Sequence, residues 1–310
     1  MDGFTLSRRV RQLLSEDVDS LFISQEFTYD ALYEAVIEIV KRTQCYRGET
    51  AITTVDGTQL YALPADFMKL FIKDTNGDLV VKIYDGTTYS WATFRDYSAL
   101  YTDNLTGEKA TPDSFAIIPY TERSRLASTA SAIGADTNSC ESILTDATAA
   151  FTTTALAGDR IINVTDGSHG YVISVTDTTH LLVSLVGGTD NDWTSSDVYY
   201  LIPQQRYGIW LDQPSSTSGY TITIPYLKRP QPVYSLYRNY PIPIDFEGAI
   251  SSYAAFLYKY KDREPNFGDI LYRNFDNLTK TGKNIHDGAK GKFGYQVFFT
   301  KKAYANRTQR

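Results

Sequence analysis

Gly57-Thr-Gln-Leu-Tyr-Ala-Leu-Pro-Ala-Asp-Phe67 stands just beyond the point where the hydrophobic period of the chain changes from helical to two. Before it, Ala51-Ile-Thr-Thr-Val55 reads as a strand. Asp56-Gly57 reads as a hairpin turn, and Gln59-Leu-Tyr-Ala-Leu63 as the returning strand. Pro64 removes a ladder donor and ends that strand. Asp66 is suited to capping local amides, and Phe67 to anchoring the strand that follows. Residues 68–73 and 79–83 read as strands around the turn signal Asn76-Gly77. Residues 91–101 read as a short helix with Trp91, Phe94, Tyr97 and Leu100 or Tyr101 on one side. Residues 114–119 return to a strand pattern.

Upstream, Leu6, Val10, Leu13 and Leu14 repeat at helical spacing. Thr28 is the expected cap of a second helix over residues 29–46, with Leu32, Ala35, Val36, Ile39 and Val40 as its apolar stripe and Gly48 as its stop. Downstream, composition shifts. Residues 126–203 are rich in Thr, Ser, Ala, Asp and Gly, and strand-like runs begin at Arg160, Gly170, His180 and Val198. The pattern of two resumes in residues 206–212 and 220–228. Prolines at 230, 232, 241 and 243 keep the next section extended. Two helices follow, one opening at Ile244 or Asp245, the other near Pro265 with Ile270, Leu271, Phe275 and Leu278 inward.

These patterns predict an α+β chain. A helical bundle of N- and C-terminal helices carries a β-rich section, an inserted small β-barrel or sandwich, and an extended C-terminal arm. The expected boundaries are residues 1–125 with 204–282 for the core, 126–203 for the insert and 283–310 for the arm. The arm cannot build a core of its own, yet Tyr295-Gln-Val-Phe-Phe299 within it is a good strand sequence. That combination fits a segment that orders on a partner.

The 310 residues carry a formal net charge of −6, which argues against general nucleic-acid binding. The average hides a split. From Lys280 onward eight basic residues face only Asp287, a net +7, which leaves −13 on residues 1–279. Residues 128–203 hold nine acids and one base, Arg160, a net −8. A basic end on an acidic body marks an arm that docks on something acidic. Lys290, Lys292, Tyr295, Val297, Phe298, Phe299, Lys301, Lys302 and Arg307 are the expected partner-binding residues of that arm. Among the 24 tyrosines, Tyr234, Tyr237 and Tyr240, and Tyr253, Tyr258 and Tyr260, are too closely spaced to be all core, and a substantial share suits interfaces.

No catalytic or nucleotide-binding motif is present, and neither cofactor nor metal is expected. Two cysteines, Cys45 and Cys140, and three histidines, His169, His180 and His286, are too few and too scattered for a redox or metal centre. Asp166-Gly-Ser-His-Gly170 places a serine beside a histidine on a turn, which is not a triad. Asp74-Thr-Asn-Gly-Asp78 lacks the glutamate of a calcium loop. Asp190-Asn-Asp192 is a solvated loop or a cation site at an oligomer face. Neither a membrane span nor a signal peptide is expected.

The layout resembles the head-to-tail adaptor (neck or connector) proteins of tailed bacteriophages. Three stretches carry the likeness: the helix pair ending in Leu32 to Val40, the segment Gly57 to Phe67 with its YxLPxDF pattern, and Tyr240-Pro-Ile-Pro-Ile-Asp-Phe-Glu-Gly-Ala-Ile250 running into a tyrosine- and alanine-rich helix. Residues 146–175 are similar to small β-modules of phage virion proteins. The resemblance implies a non-enzymatic virion protein, assembled in the host cytoplasm. Copies would form a ring, twelve-fold in that family, beneath the portal protein, and contact downstream tail or neck proteins. DNA would pass through the lumen without specific binding. The arm would dock on the portal or on a neighbouring subunit. The other reading is a tail, baseplate, receptor or carbohydrate-binding module that uses the β-insert and the tyrosines.

Overall fold

The computed structural model describes residues 1–16, 23–102, 107–109, 111–120, 123–134, 140–261 and 265–289. These divide into two compact units: Met1–Cys45 with the chain from Leu236 on, and Tyr46–Ser235.

The first unit is helical. Asp2 caps α1 (Gly3–Leu13), its Oδ1 accepting from Thr5 N at 2.7 Å. The cap of α2 (Gln25–Thr43) is Ser24 rather than Thr28. Ser24 Oγ accepts from Phe27 N at 3.2 Å, and Thr28 Oγ1 spends its proton on the Ser24 carbonyl. The helix stops at Gln44 in the left-handed region, φ 52°, four residues before Gly48. A 3-10 turn (Ile244–Phe246) leads into α5 (Glu247–Lys261), which packs on α1, α2 and α6 (Pro265–Ala289). α6 buries Gly268, Leu271, Phe275, Thr279 and Gly282, one stripe at spacings of three and four. Gly282 is required there, since a Cβ would meet the Phe246 ring at 2.8 Å. Ile270 and Leu278, expected inward, lie off this stripe and are 55% and 39% exposed. The helix also runs on through Ala289, so residues 283–289 are not part of an extended arm.

The second unit is built on two sheets. Along the chain come β1 (Arg47–Thr53), β2 (Leu60–Ala62), β3 (Phe67–Leu70), β4 (Val80–Tyr84), β5 (Tyr89–Phe94), α3 (Tyr97–Thr102) and β6 (Ser114–Tyr120). Then follow β7 (Leu126–Thr129), β8 (Glu141–Thr145), α4 (Phe151–Thr154), β9 (Arg160–Asn163), β10 (His169–Val175), β11 (His180–Val186), β12 (Val198–Ile202), β13 (Arg206–Leu211) and β14 (Thr221–Lys228). The first sheet has the order β1-β14-β4-β5-β6-β13-β2, with β3 also on β14. Its buried side chains include Leu63, Phe67, Val81, Ile83, Phe115, Ile209, Leu211, Ile222 and Ile224. The second has the order β7-β12-β9-β10-β11-β8, around Leu144, Phe151, Ile161, Val172, Val183, Leu185, Trp193 and Tyr199. In its middle, a Cβ on Gly170 would stand 1.8 Å from the Ser184 carbonyl oxygen. The glycine is what lets β10 and β11 approach.

Three expectations fail here. The chain is mostly β, with fourteen strands among the described residues in two curled sheets, and not an α+β fold dominated by a bundle of terminal helices. Long helical stripes are conspicuous in sequence, while strands of three to eight residues split by turns are not. Asp56-Gly57 is not a hairpin turn, because β1 pairs with β14 and β2 with β13, at opposite ends of the sheet. The turn is instead held across the chain: Thr54 N donates to Tyr220 O and Gly57 N to Ser215 O, both at 2.8 Å. Residues 91–101 are not one helix. Trp91 to Phe94 complete β5, and only Tyr97–Thr102 is helical, started by Asp96 accepting from Ser98 N at 2.9 Å.

Candidate functional site

The Gly57-to-Phe67 segment is a structural joint. Asp66 does not cap local amides. Its Oδ1 accepts from the Tyr226 hydroxyl at 2.7 Å, and its Oδ2 pairs with Lys228 Nζ at 2.9 Å, so the turn is pinned to β14. Burial, then the Asp66 bond, push the Tyr226 hydroxyl above its ordinary range. Burial works against the Lys228 ammonium, but the Asp66 carboxylate more than offsets it and the pKa is raised. Phe67 is buried between Tyr207 and Tyr226, with ring centroids at 5.9 and 5.5 Å. It anchors β3 as its sequence predicts.

The turns weighed for chemistry are occupied by backbone work. Asp74 Oδ1 accepts from both Asn76 N and Asp78 N at 2.9 Å, which makes an Asx turn. Ser168 is fully buried behind the turn before β10, its Cβ against Gly188, and so offers no accessible nucleophile. Asp177 accepts from Thr179 N and from His180, which holds its carboxyl down at about 2.

Among the described residues, an acidic cluster joins the turn before β10 to the loop after β11. Asp166, Asp190 and Asp192 each place one carboxylate oxygen within 4.8 Å of the others. Calcium takes about six to eight oxygens, so three supply at most half a shell. A bond shared with Asp166, then burial and the neighbouring carboxylates, raise the Asp190 pKa. A raised carboxyl pKa means that the folded state binds more protons than the unfolded one, so stability falls as pH rises through that pKa. Asp190→Asn should therefore raise the melting temperature at pH 7 and leave it unchanged at pH 3, where the native carboxyl is protonated folded or unfolded. Calorimetry at the two pH values checks this.

What the described residues do present is apolar surface. On α6, Phe267, Ile270, Leu278 and Ile285 are all exposed and fall at spacings of three, eight and seven, which is one stripe of the helix. On the first sheet, Val81 and Ile83 point into the core, so Lys82 and Tyr84 point out. Their register partners Trp91 and Tyr89 join them, 56% and 60% exposed. Lys82 Nζ lies 3.6 Å from the Tyr89 ring centroid, and the Tyr84 and Tyr89 rings are 4.6 Å apart. The tyrosines split: Tyr234, Tyr240 and Tyr258 are buried, while Tyr237 and Tyr260 stand out. The sequence signal for the α6 stripe was Ile270 and Leu278 themselves, assigned to the wrong face. The expected arm residues Lys290, Lys292, Tyr295, Val297, Phe298, Phe299, Lys301, Lys302 and Arg307 lie outside the described residues.

Among the described residues, no helix is long and apolar enough to cross a membrane. Compared with known proteins, the chain matches no family model, and none of the curated proteins matches it.

Proposed function

We propose that this chain is a structural virion protein of a tailed bacteriophage, a head-to-tail adaptor whose copies form a ring beneath the portal. The observation that carries the reading is the exposed stripe Phe267, Ile270, Leu278 and Ile285 on the longest helix. An apolar stripe left in water by a helix whose other face is already buried is a surface for another protein. In a ring, a second copy covers it. The acidic body and basic C-terminal segment support docking on a portal of opposite local charge, and the lumen carries DNA without binding it.

The structure moves the cut that tests this. Truncation after Ala289, not at 283, removes the basic segment and spares α6. The truncated protein should keep the melting temperature of the full chain yet fail to join a portal ring in sedimentation. Assembly of the truncated chain on the portal would sink the arm's role, and a full chain that never joins a portal would sink the adaptor reading.

A second reading, a receptor or carbohydrate binder, finds its platform on the first sheet. Tyr84, Tyr89 and Trp91 form a patch on which a sugar ring could stack. In the insert, Trp193 and Tyr199 are buried in the core and unavailable. Glycan-array binding lost on Trp91→Ala favours that reading.

A further inference from the structure

β1 ends the first sheet, and the parity of its hydrogen bonds shows which groups it leaves outward. Lys228 N donates to Tyr46 O at 2.9 Å, and Thr54 N donates to Tyr220 O at 2.8 Å. Between them the pairing with β14 runs from Arg47↔Leu227 to Thr53↔Thr221 without a bulge. In an antiparallel pair, alternate residues turn both backbone groups towards the partner. Gly48, Thr50 and Ile52 therefore bond to β14, and Glu49, Ala51 and Thr53 turn their N–H and C=O groups away from it. Those three residues are exposed, and among the described residues no strand pairs with that side.

Two of the other sheet ends are managed. β2 has only three residues, and the hydroxyl of its own Tyr61 bridges to the backbone of Val55 and Thr58. Beside β8, Ser131 N donates to Thr145 O at 2.8 Å and closes that flank. β1 is seven residues long and unbroken in register, with neither proline nor bulge; Arg47 and Glu49 are its charged residues.

We propose that this edge of β1 is the docking site of the C-terminal arm, and that residues 295–299 of a neighbouring copy add to it as a further strand. Tyr295-Gln-Val-Phe-Phe299 follows the end of α6 after five residues. It is the stretch of 290–310 with aromatic and β-branched residues in a run, which is what a pleated edge accepts. Residues 290–310 carry six basic residues and no acid, and Glu49 in the outward row, next to Arg47, offers one of them a counter-charge. That the strand comes from a neighbour rests on the ring reading above.

The test uses the full chain and a synthetic peptide of residues 290–310, at about millimolar concentration to mimic a tethered neighbour. Amide hydrogen exchange is read residue by residue. The peptide should slow exchange at Glu49, Ala51 and Thr53 by about tenfold or more. A peptide with Val297→Pro should not. Ala51→Pro in the chain should abolish the response, because the Ala51 N–H is not part of the β14 ladder and proline is tolerated at such a position. Protected amides at Gly48, Thr50 and Ile52 verify that this variant is folded; were they lost, the Val297→Pro peptide alone decides. Unchanged exchange at the three outward amides overturns the proposal, as does equal protection by both peptides. Protection already present in the monomeric chain without peptide overturns it too, since the arm would then serve its own copy. Portal binding is a separate readout. Failure to bind a portal with the edge response intact removes the adaptor reading alone, and the reverse result removes the edge pairing alone.

Discussion

Replacing Arg123 with methionine should destabilise the second sheet by about 3–5 kcal/mol. Arg123 and Asp159 form a two-pronged pair in which Nη2 donates to Oδ1 at 2.9 Å and Nη1 meets Oδ2. Their side chains are only 9% and 1% exposed, so solvent screens the pair little. The arrangement does more than cancel charge. Nη1 also donates to the Thr154 carbonyl at 3.2 Å, which holds the end of α4. The Asp159 oxygens accept from Leu156 N and Gln204 N at 2.8 Å each. Methionine fills the volume of arginine but leaves a buried carboxylate without its counter-charge, and that uncompensated charge is the cost. Lysine should recover only part of the loss, because a point charge cannot form both prongs. Urea unfolding followed through the emission of buried Trp193 reads the effect, since Trp193 sits in the core of this sheet. A loss below about 1 kcal/mol, the worth of an exposed ion pair, would show that water reaches the pair.

None of this pair is visible in sequence, and the reason is distance along the chain. Features readable from the residues are those fixed by local periodicity. Leu32, Ala35, Val36, Ile39 and Val40 were marked as a stripe by their spacing, and all five are fully buried. The strands at Arg160, Gly170, His180 and Val198 appear where their apolar runs place them. β7 and β8 do not announce themselves, because Leu126-Ala-Ser-Thr129 and Glu141-Ser-Ile-Leu-Thr145 hold few large apolar side chains and gain strand geometry from pairing. Pairing is where a single sequence fails most. Thr53 and Thr221 are register partners far apart in the chain, while the strand at Leu60, near in sequence, pairs with β13. Likewise Trp193 lies in an Asp- and Ser-rich loop by composition, and only the fold turns it inward as the largest fully buried side chain. As for the candidate site, the apolar residues of α6 were legible, but not which face they take. Gly282 marks the inward stripe, since its missing side chain admits the Phe246 ring.

That two-faced helix yields the second large effect. Phe275→Ala should cost the helical unit about 3–5 kcal/mol, read by urea unfolding followed at 222 nm. Phe275 is fully buried, with the Tyr253 ring at 4.7 Å and the Tyr272 ring at 5.8 Å. The Arg42 guanidinium lies 4.8 Å from its centroid and is itself held by Glu38 at 2.7 Å, Asp276 at 3.3 Å and the Tyr272 hydroxyl at 2.9 Å. Truncation opens a cavity and removes the ring under that guanidinium, so loss of both apolar burial and cation–π contact is expected. Five residues earlier on the same helix, Ile270 is more than half exposed, and Ile270→Asp should change stability by no more than about 0.5 kcal/mol. Assembly reverses the order. If the exposed stripe meets a second copy, Ile270→Asp places a charge in the middle of an apolar contact and should prevent ring formation on the portal. A conservative Phe275→Leu keeps most of the core and should leave assembly intact wherever the protein remains folded. An Ile270→Asp chain that assembles as well as the native one would remove α6 from the ring contact. Stability and assembly would then separate along one helix: one apolar face is buried in its own fold, and the other, exposed, is the face that the proposed ring would cover.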